Sequence, residues 1–303
     1  MHPLVLGTRG SRLALRQAEI IRQQLGVRCP ERAVTLRPIT AQADQKAETP
    51  LATFAGEGIF VKELERELLA GRIDAAVHSL KDVPLDQPEG LRLAAVPPRE
   101  ESRDALVSRH GLPLEHLPAG SRIGTSSVRR QSQLRARRPD LSLCEIRGNV
   151  DTRLRKLDEG RYDAIIVAGC GLMRLGLAAR ITELLDPAWM LPEPGQGALA
   201  VEARADDEPM LTLLARLEDP VTRACVEAER AFLKSLGGGC RVPIAALATL
   251  REGELLLEGA VVAPDGSSSL RHQGTGRVSE PQALGERLAK DVIARGALSL
   301  LSA

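Results

Sequence analysis

An aspartate at the end of a short apolar strand is the first residue whose setting favours chemistry. Residues 78–84 read HSLKDVP, so the strand pattern of 74–78 runs into a loop that carries Ser79, Lys81 and Asp82. A carboxylate placed there could stabilise a cation or move protons, with its pKa set by burial and by the ammonium group beside it. The competing interpretation is a strand-end turn with a surface ion pair, since loops are enriched in functional residues without always carrying them.

A second candidate is the hydroxyl-rich turn Thr125-Ser126-Ser127, which leads into a helix predicted over 127–137 that carries Arg129 and Arg130. The first N–H groups of a helix are available to bind an anion, and two guanidinium groups would strengthen such a site. Simple N-capping by Ser126 or Ser127 would explain the hydroxyl groups but not the paired arginines. The local sequence leaves both interpretations open.

The region around this turn is strongly basic. Residues 122–161 contain eleven Arg and Lys residues but only five Asp and Glu residues. Arg147 and Gly148 end a predicted strand, and Arg153 lies one turn into the next predicted helix, so both arginines could face one cleft. Three arginines on the outer side of the preceding helix are expected to be solvated: Arg135, Arg137 and Arg138.

Cys240 follows three glycines, at the end of a long amphipathic helix predicted over 219–236. Three glycines let the backbone turn sharply and present one sulfur without side-chain obstruction. A thiol on such a loop could carry a covalent group. The alternative is a helix C-cap beside a buried, inert cysteine, although one glycine would suffice for a cap.

Two further segments have the features of parts that move, a hinge and a lid. The sequence PGQGA at 194–198 is predicted to be the return connection between two domains, and a hinge there would let the domains close. Residues 41–59 form a long stretch with glycine and without periodicity, and loops of this length are often lids or disordered segments.

Length and composition limit the class of protein in which these candidate residues can act. A chain of 303 residues suggests two or three domains, and 43% hydrophobic residues are enough for real cores. The net charge of +1 indicates no global field for a nucleic acid or an anionic membrane. We find no signal peptide pattern at the N-terminus and no apolar stretch long enough to span a membrane. The five cysteines include no C-x-x-C pair, and none lies at metal-ligand spacing with a histidine. This pattern favours a reducing cytoplasm over a disulfide framework or a metal site.

The predicted elements divide the chain into two parts. The first two thirds alternate strand-like and helix-like segments in two blocks, which predicts two open sheets with helices on both faces. Ligands of such sheets bind beyond the carboxyl ends of strands. The last third combines the 219–236 helix, strands at 244–250, 254–262 and 268–274, and a final helix at 282–295, which predicts a small α+β domain.

Seven segments resemble the porphobilinogen deaminase family, in the family's order and spacing. They are TRGSRLAL (8–15), GIFVKELE (58–65), AAVHSLKDVP (75–84), GTSSVRRQ (124–131), RGNVDTRLRKLD (147–158), LPEPGQGALAVE (191–202) and GGGCRVPI (237–244). The resemblance implies an α/β fold with two domains like type II periplasmic binding proteins, which flank a cleft, plus a small C-terminal α+β domain. The implied domains are 1–97 with 198–215, 98–197, and 216–303.

The resemblance also implies an activity. Members join four porphobilinogen molecules, with release of ammonia, into the linear tetrapyrrole hydroxymethylbilane on a covalent dipyrromethane cofactor. By match to the family, Asp82 is catalytic and Cys240 carries the cofactor through a thioether. The resemblance assigns cofactor and substrate binding to Arg9, Ser11, Phe60, Ser79, Lys81, Thr125, Ser126, Ser127, Arg129, Arg130, Arg147, Gly148, Arg153, Arg174 and Gln196. It implies a cytoplasmic monomer whose product passes to uroporphyrinogen-III synthase.

The chain departs from the family pattern in the predicted lid. Glu57 and Thr53 stand where many relatives have lysine, so we assign no substrate contact to 41–59. Cys170, in the less typical stretch 169–174, is expected to be a small packed residue.

Two other classes of protein share some of these features. A type II solute-binding domain would have the two α/β domains and an anion-holding cleft, but it would not need the Gly-Gly-Gly-Cys loop. An Arg-rich nucleic-acid binder would need aromatic stacking platforms, whereas aromatic residues make up only 2% of the chain.

Overall fold

The computed structural model describes residues 3–40, 61–238 and 242–301. The strands, in chain order, are β1 (Leu4–Arg9), β2 (Val34–Ile39), β3 (Ala75–Ser79), β4 (Leu91–Ala95), β5 (Asp104–Ser108), β6 (Arg122–Gly124), β7 (Ser142–Cys144), β8 (Ala164–Ala168), β9 (Glu183–Leu184), β10 (Leu199–Arg204), β11 (Ile244–Arg251), β12 (Glu254–Val262) and β13 (Ser269–Arg277). The α-helices are α1 (Arg12–Arg28), α2 (Lys62–Leu69), α3 (Val128–Arg137), α4 (Val150–Asp158), α5 (Gly169–Arg174), α6 (Glu208–Leu214), α7 (Pro220–Ser235), α8 (Pro281–Ala294) and α9 (Ala297–Leu301).

The chain forms two compact units, Met1–Glu100 with Ala198–Arg223, and Glu101–Gly197 with Ala224–Ala303. The division into three domains at 97/98, 197/198 and 215/216 stays a prediction. Among the described residues, no helix has both the length and the apolar character that a membrane crossing requires.

The first unit is built on a five-stranded sheet in the order β2-β1-β3-β10-β4. Strands β2, β1 and β3 are parallel, whereas β10 runs antiparallel to both β3 and β4. Apolar side chains cover both faces of this sheet. Helix α1 packs Ala18, Ile21 and Leu25 on one face, and α2 packs Leu64 and Leu68 in a separate cluster.

The second unit contains a five-stranded sheet in the order β7-β6-β8-β5-β9. Apart from β10 in the first sheet and β5 in the second, the strands of the two sheets follow each other in the same order. Strands β7, β6 and β8 are parallel, and β5 runs antiparallel to β8 and β9. In each sheet the antiparallel strand is the one that begins as the chain enters from the other unit. The predicted α/β fold with two open sheets is therefore confirmed.

The C-terminal part of the second unit is an antiparallel sheet, β11-β12-β13, with helices packed around Phe232. This confirms the small α+β region, although β13 continues to Arg277, beyond the predicted end. Sequence patterns did not predict β10, or the short helices α6 and α9.

The contact between α7 and α8 depends on a glycine. A Cβ added at Gly285 would lie 2.3 Å from the Ala228 carbonyl oxygen and 2.8 Å from the Phe232 amide nitrogen. Both atoms belong to backbone, so the two helices would have to separate.

We expect Gly285→Ala to lower the free energy of unfolding by about 1–3 kcal/mol, since overpacking forces backbone shifts. Gly26→Ala is the matched control, because Gly26 lies in α1 with nothing within 4 Å of an added Cβ. That change should stabilise the protein by up to about 1 kcal/mol through helix propensity. Urea unfolding measures both, and equal effects of the two substitutions would contradict the proposed close contact.

Candidate active site

The catalytic candidate Asp82 lies in a tight turn directly after β3. Residues Leu80–Asp82 form one turn of 3-10 helix. Leu80 is fully buried, and its N–H donates to the Ala198 carbonyl oxygen at 3.0 Å. This anchor holds the turn against β10, while Lys81 and Asp82, which follow Leu80, are half-buried.

The carboxyl end of β1 contributes a second group of predicted residues. Because β1 and β3 are parallel neighbours, Arg9 and Ser79 end at the same edge of the sheet. Ser11 caps α1, where its Oγ accepts from the Ala14 N–H at 3.2 Å. The structure thus brings Arg9, Ser11, Ser79, Lys81 and Asp82 to one edge of the first sheet.

Sequence reasoning missed two residues of the first unit. Gln17 is buried on α1, and its Nε2 donates to Ser79 Oγ at 2.7 Å, which orients that hydroxyl. Its signal was a polar residue within the otherwise apolar buried face of α1. Glu202 on β10 is buried against His78, with 3.2 Å between His78 Nε2 and Glu202 Oε2. Only the pairing of β3 with β10 brings these two together.

The three hydroxyl residues in the turn before α3 have different hydrogen-bond partners. Ser127 is the N-cap, and its Oγ accepts from the Arg130 N–H at 3.4 Å. Ser126 instead bonds to the next strand segment: its Oγ donates to the Ile146 carbonyl oxygen at 2.6 Å and accepts from the Ile146 N–H at 3.1 Å. Thr125 is fully buried beside Cys144. Capping is therefore present, but it involves only Ser127.

The paired arginines converge on one acid that sequence reasoning did not single out. Asp104 is fully buried, and its Oδ2 accepts from Arg129 Nη1 at 2.8 Å. Its Oδ1 accepts from Arg130 Nε at 3.0 Å, from Arg130 Nη2 at 2.8 Å and from Gln196 Nε2 at 2.9 Å. Burial raises the pKa of Asp104, but the two guanidinium groups and the hydrogen bonds outweigh it and hold that pKa well below its usual value.

Arg129 keeps one edge of its guanidinium group without a partner. Its Nε and Nη2 are buried and have no hydrogen-bond partner among the described residues. Nε and Nη2 together form the edge that bonds both oxygens of a carboxylate. Since unsatisfied buried donors are costly, this edge fits an acidic ligand group such as a carboxylate.

The end of the β7 segment adds further positive charge. Arg147 pairs with Glu145, and Arg153 Nε donates to the Gly148 carbonyl oxygen at 2.8 Å. Burial, and then the charges of Arg130 and Arg147, lower the pKa of Arg153 to about 10. This mutual repulsion shows that the guanidinium groups lie close together, as an anion-binding cluster requires.

Gly148 is needed at its position in this cluster. Its φ is +102°, in the region that favours glycine, and an added Cβ would lie 2.7 Å from Thr152 Cγ2. Arg174 and Gln196, two further predicted residues of the second unit, are buried. Arg174 Nη2 donates to the Gly197 carbonyl oxygen at 2.8 Å, and Gln196 Nε2 also donates to the Ser102 carbonyl oxygen at 2.8 Å.

The expectation that three outer arginines are solvated is wrong for two of them. Arg138 donates to the Leu117 carbonyl oxygen at 2.7 Å and pairs with Asp140. Arg135 Nη1 donates to the Pro264 carbonyl oxygen at 2.6 Å, which joins α3 to the C-terminal sheet region. Only Arg137 is largely exposed, and it lies over the Trp189 ring. Both errors arise because backbone carbonyl partners cannot be identified from charge patterns.

Several predicted features lie outside the described residues. They are the attachment residue Cys240, the binding residue Phe60, and the predicted lid at 41–59 with Thr53 and Glu57. Cys170, by contrast, is buried in α5, as expected for a packed residue.

The chain combines two open α/β sheets with clustered guanidinium groups, which suit carboxylate ligands. Residues 4–212 match the family model described as the porphobilinogen deaminase dipyromethane cofactor binding domain, and 223–294 match that family's C-terminal domain. The chain therefore belongs to the porphobilinogen deaminase family, whose cofactor is a dipyrromethane.

Curated relatives agree with this assignment over their whole length. Porphobilinogen deaminase of Chromobacterium violaceum is 51% identical, over 100% of this chain and 98% of the relative. That of Roseiflexus castenholzii is 50% identical, over 99% and 98%. That of Thiobacillus denitrificans is 49% identical, over 100% and 99%.

Two solved structures show a distant likeness. A putative methionine-binding lipoprotein of Bacillus subtilis is 13% identical, over 71% of this chain and 89% of its own, with a TM-score of 0.44. The periplasmic sulfonate-binding protein SsuA of Methylobacillus flagellatus is 13% identical, over 78% and 68%, with a TM-score of 0.42.

Proposed function

We propose that the chain performs the reaction of its family, the joining of four porphobilinogen molecules into hydroxymethylbilane, on a dipyrromethane bonded to Cys240. The observation that carries the residue-level proposal is the cluster of buried guanidinium groups in which Arg129 Nε and Nη2 have no partner among the described residues. That edge lies within the segment that matches the family's cofactor-binding domain.

The positive charges of the arginines offset the negative charge of the ligand. Each pyrrole carries an acetate and a propionate, so two cofactor rings and four substrate rings present twelve carboxylates. Guanidinium groups bind carboxylates through two parallel hydrogen bonds and stay charged at any physiological pH. We assign this role to Arg9, Arg129, Arg130, Arg147, Arg153 and Arg174, with Lys81 and the hydroxyl groups of Ser11, Ser79, Thr125, Ser126 and Ser127 as smaller contributors. Phe60, Gly148 and Gln196 complete the proposed lining.

Asp82 supplies the opposite charge. When ammonia leaves porphobilinogen, positive charge develops on the pyrrole and its N–H becomes a stronger donor. A half-buried carboxylate beside that N–H stabilises the charge, because a fixed group needs no reorganisation when the charge appears. The same group can accept a proton from the ring carbon as the carboxylate, and the carboxylic acid so formed can pass a proton to the departing amine. When bound, the dipyrromethane supplies the free pyrrole carbon to which the first substrate is joined.

Intact mass spectrometry and turnover of porphobilinogen together test this function. We expect the purified protein to exceed its sequence mass by one dipyrromethane, to colour with Ehrlich's reagent, and to release ammonia and a linear tetrapyrrole from porphobilinogen. A solute-binding domain would bind a ligand without a mass increment and without ammonia release. Protein with neither an adduct nor turnover would refute the proposal.

The oligomeric state, the cellular location and the fate of the product are part of the same proposal. We propose that the protein is a monomer, which light scattering of the purified protein tests. We propose that it acts in the cytoplasm, which cell fractionation tests. We also propose that its product passes to uroporphyrinogen-III synthase, so that adding this synthase to the reaction should consume the linear product; persistence of that product would contradict the hand-over.

A further inference from the structure

Asp104 is the acid that Arg129 and Arg130 both contact, although no sequence motif indicated it. It begins β5, is 0% exposed, and accepts hydrogen bonds from two guanidinium groups and one amide. Arg129 and Arg130 are adjacent in sequence on α3, so their side chains would otherwise diverge and repel each other. One carboxylate with an arginine on each oxygen holds both in a defined orientation.

The orientation of Arg129 follows from which of its nitrogens is held. Its Nη1 donates to Asp104 Oδ2 at 2.8 Å and to the Leu191 carbonyl oxygen at 2.8 Å. The two hydrogens of Nη1 are therefore used, and rotation of the guanidinium plane would break both bonds. Nε and Nη2 are left together as one edge, buried and without a partner among the described residues.

The charge balance of the cluster points to an anionic ligand. Asp104 carries one negative charge against the two positive charges of Arg129 and Arg130, and Arg153 is close enough to be affected by Arg130. Uncompensated buried charge is costly, so a carboxylate at the Arg129 edge would lower the free energy of the loaded state.

We propose that Asp104 is a positioning residue for the cofactor, which aims the Nε–Nη2 edge of Arg129 at one carboxylate of the dipyrromethane. This inference rests on the proposed function and extends it by one residue. Asp104 touches neither cofactor nor substrate, so its loss should impair cofactor uptake more than the elongation rate of the molecules that have acquired cofactor.

The test is cofactor loading of Asp104→Asn, followed by intact mass as apo-protein is incubated with porphobilinogen. Asparagine keeps the shape and one acceptor but removes the charge, so Arg129 should lose its fixed orientation. We expect half-loading to need at least about tenfold more porphobilinogen, which corresponds to about 1.4 kcal/mol. The elongation rate per loaded molecule should stay within about twofold of wild type, because the chemical groups are unchanged.

Glu229→Gln is the matched control. Glu229 is also 0% exposed and also accepts two hydrogen bonds, but both come from backbone N–H groups, those of Gly195 and Ala248. Its loss should lower the unfolding temperature without shifting the porphobilinogen concentration at half-loading. An equal loading defect in both variants at matched unfolding temperatures would overturn the positioning role, since stability alone would then decide cofactor uptake.

A second variant keeps the test decisive if Asp104→Asn does not fold. Asp104→Glu keeps the charge, so the arginines stay neutralised, but its carboxylate is displaced by one methylene. We expect a loading defect here as well, and wild-type loading of Asp104→Glu would overturn the inference. Wild-type protein with neither an adduct nor turnover would instead refute the proposed function itself. Failure of the inference and failure of the proposed function are therefore distinguishable.

Discussion

Protein with Cys240→Ser should carry no dipyrromethane and form no tetrapyrrole from porphobilinogen. The proposed attachment needs a thiolate, and a serine hydroxyl remains protonated at neutral pH and is a far weaker nucleophile. Intact mass should equal the sequence mass, and Ehrlich's reagent should give no colour. The fold should survive, because a serine hydroxyl in place of the thiol alters only one small side chain.

Cys144→Ser is the control for this experiment. Cys144 is a free, half-buried thiol on β7, and its Sγ donates to the Ser142 carbonyl oxygen at 3.8 Å. Its replacement should leave both the mass increment and the turnover in place. Full-speed conversion of porphobilinogen by Cys240→Ser, with nothing bonded to the protein, would disprove covalent priming at residue 240.

Replacement of Asp82 by alanine should give a folded protein that keeps its primer but elongates it about 10²–10⁴-fold more slowly, the range typical for loss of a positioned acid–base or electrostatic group. The turn itself should persist, because Leu80 anchors it through the Ala198 carbonyl oxygen. Steady-state kinetics should show the loss mainly in kcat, since the carboxylate acts on charge that develops during the reaction. Circular dichroism and intact mass would verify fold and primer.

Asp86→Ala is the matched control, because it removes the same charge from an exposed position four residues further along the same segment. Its turnover should match that of wild type. Near-normal turnover in Asp82→Ala would remove the catalytic assignment, whereas an equal loss in Asp86→Ala would mean that the net charge of the segment, rather than one carboxylate, supports the reaction.

Much of the candidate site could be predicted from the sequence because its signals are local. The strand that delivers Asp82, and the N-cap at Ser126 or Ser127, each depend on residues within a few positions of one another. Hydrophobic periodicity likewise predicted most helices and strands, since it records which face of an element is apolar. The seven family segments added the roles that periodicity cannot supply.

Other features were decided by contacts between residues far apart in sequence. Asp104 meets Arg129 across 25 positions, and Gln17 meets Ser79 across 62. The antiparallel placement of β5 and β10 depends on which strand edge each one pairs with. Arg138 lies on a strongly charged segment, yet its donors satisfy buried carbonyl groups.

The sequence by itself therefore determined the apolar faces, the turn chemistry, and the kinds of charge available to bind an acidic ligand. Only the tertiary structure decided which carboxylate neutralises which guanidinium. It thereby decided that one edge of Arg129 has no partner within the described part of the chain, while both oxygens of Asp104 accept hydrogen bonds. The physical reason is that a charged group's partner is set by distance and burial in the folded chain, and neither quantity can be obtained from spacing along it.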